Sequence, residues 1–214
     1  MSEDAMRPER LQRLKELVKK RQLDLTVVLE NVHDAHNIGA VMRSCDGVGI
    51  KEIYVLYSSD RLNENDLVLG KRTSAGARKW VDVIYFEDAK KCFEILKAKY
   101  DQILGTHLSQ ESKALYDLDL TKSTALVFGN ESRGITEEAL TYLDGNFIIP
   151  QFGMVESLNI SVACAVSLFE ASRQRNAIGR YDNKIEGDLE RENLLSNYVE
   201  RQVNKHVGRE PKGR

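Results

Sequence analysis

Disulfide chemistry is the first thing this chain lacks. Its 214 residues include three cysteines. Cys45, Cys92 and Cys164 are odd in number, far apart and set in apolar patterns. Neither a disulfide framework nor a cysteine metal cluster is therefore expected, and a reducing, cytoplasmic setting fits. Long hydrophobic runs are missing too. None approaches the roughly 18 residues that a membrane-spanning helix needs, and the N-terminal residues are charged where a signal peptide is apolar. Membrane insertion and secretion are not expected. There is no internal repeat and no low-complexity tract, and the length suits one domain with appended helices.

A large charge of either sign is also absent, since the net is -2. That average hides local asymmetry. Residues 7–21 hold seven basic side chains against Glu9 and Glu16. Residues 70–80 carry Lys71, Arg72, Arg78 and Lys79 with no acid, and residues 201–214 hold five basic side chains against Glu210. Such patches can neutralise phosphates on an otherwise acidic protein, or they can be ordinary solvated faces and a tail.

Short apolar segments at 25–29, 53–56, 81–85, 102–105, 124–128 and 147–149 read as strands. Helical patterns lie between most of them, over 8–20, 37–48, 87–99, 136–143 and 157–178, and a final charged helix runs from about 186 to 206. Pro8 suits a first helical turn that leads Leu11, Leu14, Leu17 and Val18 onto one face, and Gly179 suits a C-terminal cap. This alternation implies an α/β fold with a mostly parallel sheet covered by helices on both faces. The expected organisation is a basic N-terminal helix within 1–24, a central domain over 25–180 and a basic helical extension over 181–214.

Three blocks stand out. Leu126-Val-Phe-Gly-Asn-Glu-Ser-Arg-Gly134 and the stretch from Ile149 to Val162, Ile-Pro-Gln-Phe-Gly-Met-Val-Glu-Ser-Leu-Asn-Ile-Ser-Val, each run from apolar residues into a glycine-containing polar turn and then into a helix. Glycine removes the Cβ that would block a ligand from the backbone. The third block, His33-Asp-Ala-His-Asn-Ile-Gly-Ala-Val-Met-Arg43, places Asn37 and Arg43 on one expected helix. Each feature also has a plain structural reading. The glycine turns are ordinary connections, Ser157 is the N-cap of a helix that buries Leu158, Val162, Ala165, Val166 and Phe169, and Arg43 is a surface charge. His33 and His36 lack a third ligand at suitable spacing, so no metal site is expected. Asp46-Gly-Val-Gly49 closes a helix where a dinucleotide fingerprint would open one.

Together the three blocks resemble the motifs of the SpoU/TrmH (SPOUT) methyltransferases over about residues 7–181. The resemblance implies a C-terminal trefoil knot, which spacing alone does not announce, and S-adenosyl-L-methionine-dependent methylation of an RNA ribose 2′-hydroxyl. It also implies cofactor contacts at Thr106, Gly129, Ile149 and Leu158, with Arg43, Asn37, Glu131, Ser157 and Asn159 on the catalytic side. Arg43 matches the principal catalytic arginine of the family. A guanidinium stays protonated in proteins, so its expected role is to hold a phosphate, aim the hydroxyl and stabilise the developing oxyanion. Asn37 is expected to orient Arg43 or the ribose.

The basic N-terminal helix, the C-terminal extension and the stretches at 21–28 and 73–80 resemble the family members that methylate the D-loop guanosine of tRNA. About two dozen residues precede the first strand, where relatives acting on ribosomal RNA often carry an RNA-binding domain. The expected partners are therefore tRNA and a second copy of the chain in a homodimer, with no membrane and no metal. Two alternatives stay open: methylation of another tRNA position or of ribosomal RNA, and a catalytically silent RNA-binding protein of the same fold.

Overall fold

The structure, a computed structural model, describes residues 6–58, 76–154 and 157–207. Lys71, Arg72 and the last basic residues, Arg209, Lys212 and Arg214, lie outside the described residues. The chain divides into two compact units, one of residues 22–178 and one of residues 1–21 with 179–214.

The larger unit is a seven-stranded, wholly parallel sheet. Its strands are β1 (Leu25–Glu30), β2 (Glu52–Leu56), β3 (Asp82–Phe86), β4 (Gln102–Thr106), β5 (Lys113–Ala114), β6 (Thr124–Phe128) and β7 (Gly145–Ile148). Their order across the sheet is β3-β2-β1-β6-β4-β7-β5. β6 thus enters between β1 and β4, both of which precede it in sequence. Every residue of β1 and β6 is buried, as expected where helices cover both faces. One face packs on α2 (Ala35–Gly47) and α5 (Ile160–Ala177), the other on α3 (Ala89–Lys99) and the single turn α4 (Glu137–Leu140).

Some boundaries differ from the sequence pattern. β7 starts at Gly145 because Gly145 and Asn146 pair with Leu104 and Gly105 of β4, so ladder register overrides their turn character. The two-residue β5 has too little pattern to be read from sequence. α5 starts at Ile160, with Asn159 as N-cap accepting from the Ser161 N–H at 2.9 Å. Ser157 is not the cap. The buried side of α5 is Ile160, Cys164, Ser167, Leu168, Ala171 and Arg175, while Val162 and Phe169 are 46% and 58% exposed. The helix is apolar on two sides, and periodicity does not say which of them meets the sheet.

Arg175 is fully buried, yet its guanidinium is well satisfied. It donates to Leu120 O at 2.9 Å, Asp24 Oδ1 at 2.6 Å and Gln22 Oε1 at 3.2 Å, and also to the carbonyls of Asp24 and Lys122. This fastens the end of α5 to the chain entering β1 and β6. Gly179 follows at φ +75°, the left-handed conformation expected of a C-terminal glycine.

The smaller unit joins the two terminal segments, which the sequence pattern leaves apart. Leu14 and Val18 of α1 (Pro8–Lys19) are buried, and α6 (Leu189–Val207) packs on α1. Arg191 donates to the carbonyls of Val18 at 2.8 Å and Arg21 at 2.9 Å, Arg10 donates to Gln202 Oε1, and the Arg21 guanidinium lies 5.7 Å from the Tyr198 ring centroid. Arg21 is fully buried. It is thus a packing residue, unlike the exposed cations with which its charge groups it in the sequence.

Candidate active site

Because all seven strands run the same way, the loops after β1, β4, β6 and β7 gather at the carboxyl edge of the sheet. In open α/β sheets this edge is where ligands bind. A cavity of about 870 Å³ lies there, within the roughly 300 to 1,000 Å³ usual for small-molecule sites. Thr106, Gly129, Glu131, Ile149, Ser157 and Leu158 all line it, although they come from three separated parts of the chain. Phe128, Phe147 and Ile160 add apolar wall, and His107 and Asn130 add polar groups that the sequence pattern did not single out.

Local geometry explains the glycine at 129. A Cβ there would overlap the Gly134 carbonyl group. The loop between them is closed by two backbone bonds, Asn130 N–H to Gly134 O at 3.0 Å and Gly134 N–H to Asn130 O at 2.8 Å, and Gly134 has φ +70°. Asn130 Oδ1 accepts from the N–H groups of Ser132 and Arg133, at 2.9 and 3.2 Å. The loop is therefore closed on itself by its own bonds, and it displays Glu131 on the surface at the cavity.

The three sequence blocks meet in one hydrogen-bonded chain. Asn37, nearly buried in the first turns of α2, donates from Nδ2 to Glu131 Oε1. Asn159 Nδ2 donates to Asn37 Oδ1 at 3.1 Å. The Asn159 amide oxygen also accepts from the Ser161 hydroxyl at 2.6 Å, which fixes the amide orientation. Asn37 thus organises Glu131 and Asn159, and of the two expected partners Arg43 is not bonded to it among the described residues. Six residues further on, Arg43 is turned by about 120° around the helix. It is exposed, does not line the cavity, and has no hydrogen-bond or ion-pair partner among the described residues.

Among the described residues, no group of three or more His, Cys, Asp or Glu could hold a metal ion, and no helix is long and apolar enough to cross a membrane. The cavity suits an organic ligand. Aromatic and aliphatic walls suit a flat ring, Ile149 and Leu158 line the cavity, and the Glu131 carboxylate that lines it is bonded to Asn37, which Asn159 bonds in turn.

Fold and site therefore define an open, all-parallel α/β protein that holds a small organic ligand at the carboxyl ends of its strands. The model of the SpoU rRNA Methylase family matches residues 24–169, and the chain belongs to that family. It is 42% identical over 173 residues to a Thermus thermophilus tRNA (guanosine(18)-2′-O)-methyltransferase, a match covering 81% of this chain and 87% of the relative. An Escherichia coli K12 protein of the same description is 38% identical over 192 residues, covering 89% and 82%. Among solved structures, the Aquifex aeolicus TrmH/SpoU tRNA modifying enzyme superposes with TM-score 0.77 at 34% identity, over 94% of this chain and 98% of that one. The methyltransferase AviRb of Streptomyces viridochromogenes, solved with AdoMet, gives TM-score 0.63 at 26% identity, over 73% and 60%.

Proposed function

We propose that this chain is a cytoplasmic, S-adenosyl-L-methionine-dependent tRNA (guanosine(18)-2′-O)-methyltransferase that works as a homodimer. The observation that carries the reading is the hydrogen-bonded chain Glu131–Asn37–Asn159 at the rim of a nucleoside-sized cavity. Relatives of that description cover most of both chains, which favours tRNA over ribosomal RNA. The family's trefoil knot is part of this reading, and the late insertion of β6 between β1 and β4 supports it.

S-adenosylmethionine, held by the cavity, supplies a methyl group on a positively charged sulfur. The protein has to align a ribose 2′-hydroxyl with that methyl, exclude water and accept the proton that the hydroxyl gives up. Glu131 suits the last task. Its Oε1 is held by Asn37, and its other oxygen, without a partner among the described residues, can accept from the hydroxyl. Arg43, outside the cavity of its own chain, is assigned to the site of the second copy, where its guanidinium holds the neighbouring phosphate and stabilises the developing oxyanion. Alignment of this kind is worth several kcal/mol of barrier.

The dimer rests on the outward side of α5. Val162 and Phe169 are 46% and 58% exposed, Leu158 is 36% exposed, and Phe152 and Met154 in the preceding loop are 99% and 98% exposed. A helix apolar on both sides is normally buried on both. A second copy brings the same stripe, and a two-fold axis sets stripe on stripe.

Mapping of the modified nucleotide tests the reading. A 2′-O-methyl group removes the nucleophile of alkaline cleavage, so tRNA treated with the protein and S-adenosylmethionine is expected to show one gap in its hydrolysis ladder, at the D-loop guanosine. A gap elsewhere would move the substrate assignment. No gap, together with no S-adenosylmethionine binding by calorimetry, would favour a silent RNA-binding protein.

A further inference from the structure

Glu30 ends β1, a strand whose other residues are apolar except for Thr26, and is fully buried. Its Oε1 accepts from Ser58 Oγ at 3.1 Å and from Thr136 Oγ1, and its Oε2 accepts from the Thr136 N–H at 3.0 Å. These donors are neutral, and burying a carboxylate against neutral donors costs more than burying an apolar residue of the same size. Packing alone does not account for an acid here. The next residue, Asn31, has φ +53°, which is uncommon for any residue but glycine. Its carbonyl accepts from Asn130 Nδ2 at 2.9 Å, and its side chain exchanges two bonds with Ser58.

Asn31 therefore holds the start of the loop at 129–134, and Glu30 holds its end through Thr136, the N-cap of α4. Glu131 lies between the two attachments. We propose that Glu30, with Asn31, is a positioning residue for methyl transfer, fixing the loop so that Glu131 meets Asn37. This rests on the functional reading above. The role favours a carboxylate over an amide, because a glutamine facing its carbonyl to the Thr136 N–H would donate to both hydroxyls, which already accept from Asn31 Nδ2 and the Ala139 N–H, so that both hydroxyl protons would lose their acceptor.

Glu30→Gln tests it. Hydrogen–deuterium exchange across residues 129–136 is expected to rise. kcat is expected to fall by about 100-fold, the usual cost of misplacing a reacting group by about 1 Å. KM for tRNA and the affinity for S-adenosylmethionine should stay within a few-fold. In a Glu131→Ala background the same substitution should change single-turnover transfer by less than about two-fold, because both act through one group. An equal loss in the two backgrounds overturns the proposal, as does unchanged exchange with unchanged kcat. Should Glu30→Gln fail to fold, Thr136→Val, which removes one of the hydroxyls, carries the same measurements, with Thr136→Ser as the rescue. If the wild-type protein transfers no methyl group to RNA, the functional reading fails, and the exchange comparison still decides whether Glu30 holds the loop.

Discussion

Asn159 Nδ2 donates to Asn37 Oδ1 at 3.1 Å, across 122 residues of sequence. The same Asn37 amide donates to Glu131, so one side chain sets the geometry of two sequence blocks. Asn37→Asp keeps the acceptor for Asn159, loses the donor and places two carboxylates together. Single-turnover methyl transfer should fall about 100-fold, the scale for loss of one preorganised donor, with S-adenosylmethionine affinity within a few-fold. Activity near the wild-type level would remove Asn37 from the mechanism.

Arg43 stands apart from this chain of bonds, exposed on α2 and outside the cavity. Arg43→Ala should lower transfer by at least about 100-fold and leave cofactor binding intact. Lysine, lacking the planar fork, should restore little. The informative pair of measurements is transfer rate against calorimetric affinity for S-adenosylmethionine, and a joint loss of both would place Arg43 at the cofactor instead.

Phe169→Glu puts a charge into the exposed stripe of α5. Sedimentation should shift from dimer to monomer, and the thermal midpoint should lose its dependence on protein concentration, because a second copy no longer stabilises the folded state by mass action. A variant that remains dimeric would send the search for the interface elsewhere.

Arg7 and Arg13 are exposed cations of α1 and its cap that engage no partner among the described residues, whereas Arg10 is engaged by Gln202. Reversing both to glutamate should weaken tRNA binding and flatten its salt dependence, by about 0.7 to 0.9 in log–log slope for each phosphate left without its cation. Wild-type tRNA affinity at low salt would make this helix structural and leave the basic residues around 70–80 as the candidate surface.

The three cysteines are buried, and burial, with the charge of Glu30 as a lesser cause, pushes the Cys92 thiol up to about 12. Thiolate is the reactive form. Native protein at pH 8.5 should therefore resist iodoacetamide at Cys92, and unfolded protein should react at all three sites, as peptide mass analysis would show. Fast native labelling of Cys92 would contradict this burial.

Much of the site is legible along the chain. Glycine next to an apolar run marks the turns at 129 and 153, and six candidates chosen on their motifs line one cavity. Most strand positions follow from apolar runs of three to five residues, with β7 displaced by its register with β4. Glu30 also leaves a trace in the sequence, a lone acid closing a strand that is apolar except for Thr26, but nothing local says what it will hold. The buried face of α5 is not legible, because Leu158, Val162 and Phe169 repeat as regularly as Cys164, Leu168 and Ala171.

Local chemistry thus settled most of the segments that become strands and helices, β5 and the starts of β7 and α5 excepted, because propensity, capping and apolar period act within a few residues. It also settled that no disulfide or long apolar span shapes the chain. Tertiary structure decided the order of the strands, which face of α5 turns outward, and the union of α1 with α6. It also decided that Asn37 binds Glu131 and Asn159, and that Arg21 is buried while Arg43 is not. These outcomes depend on contacts between residues tens to well over a hundred positions apart. The pattern of one segment carries no record of which distant segment will cover it or supply its hydrogen-bond partner.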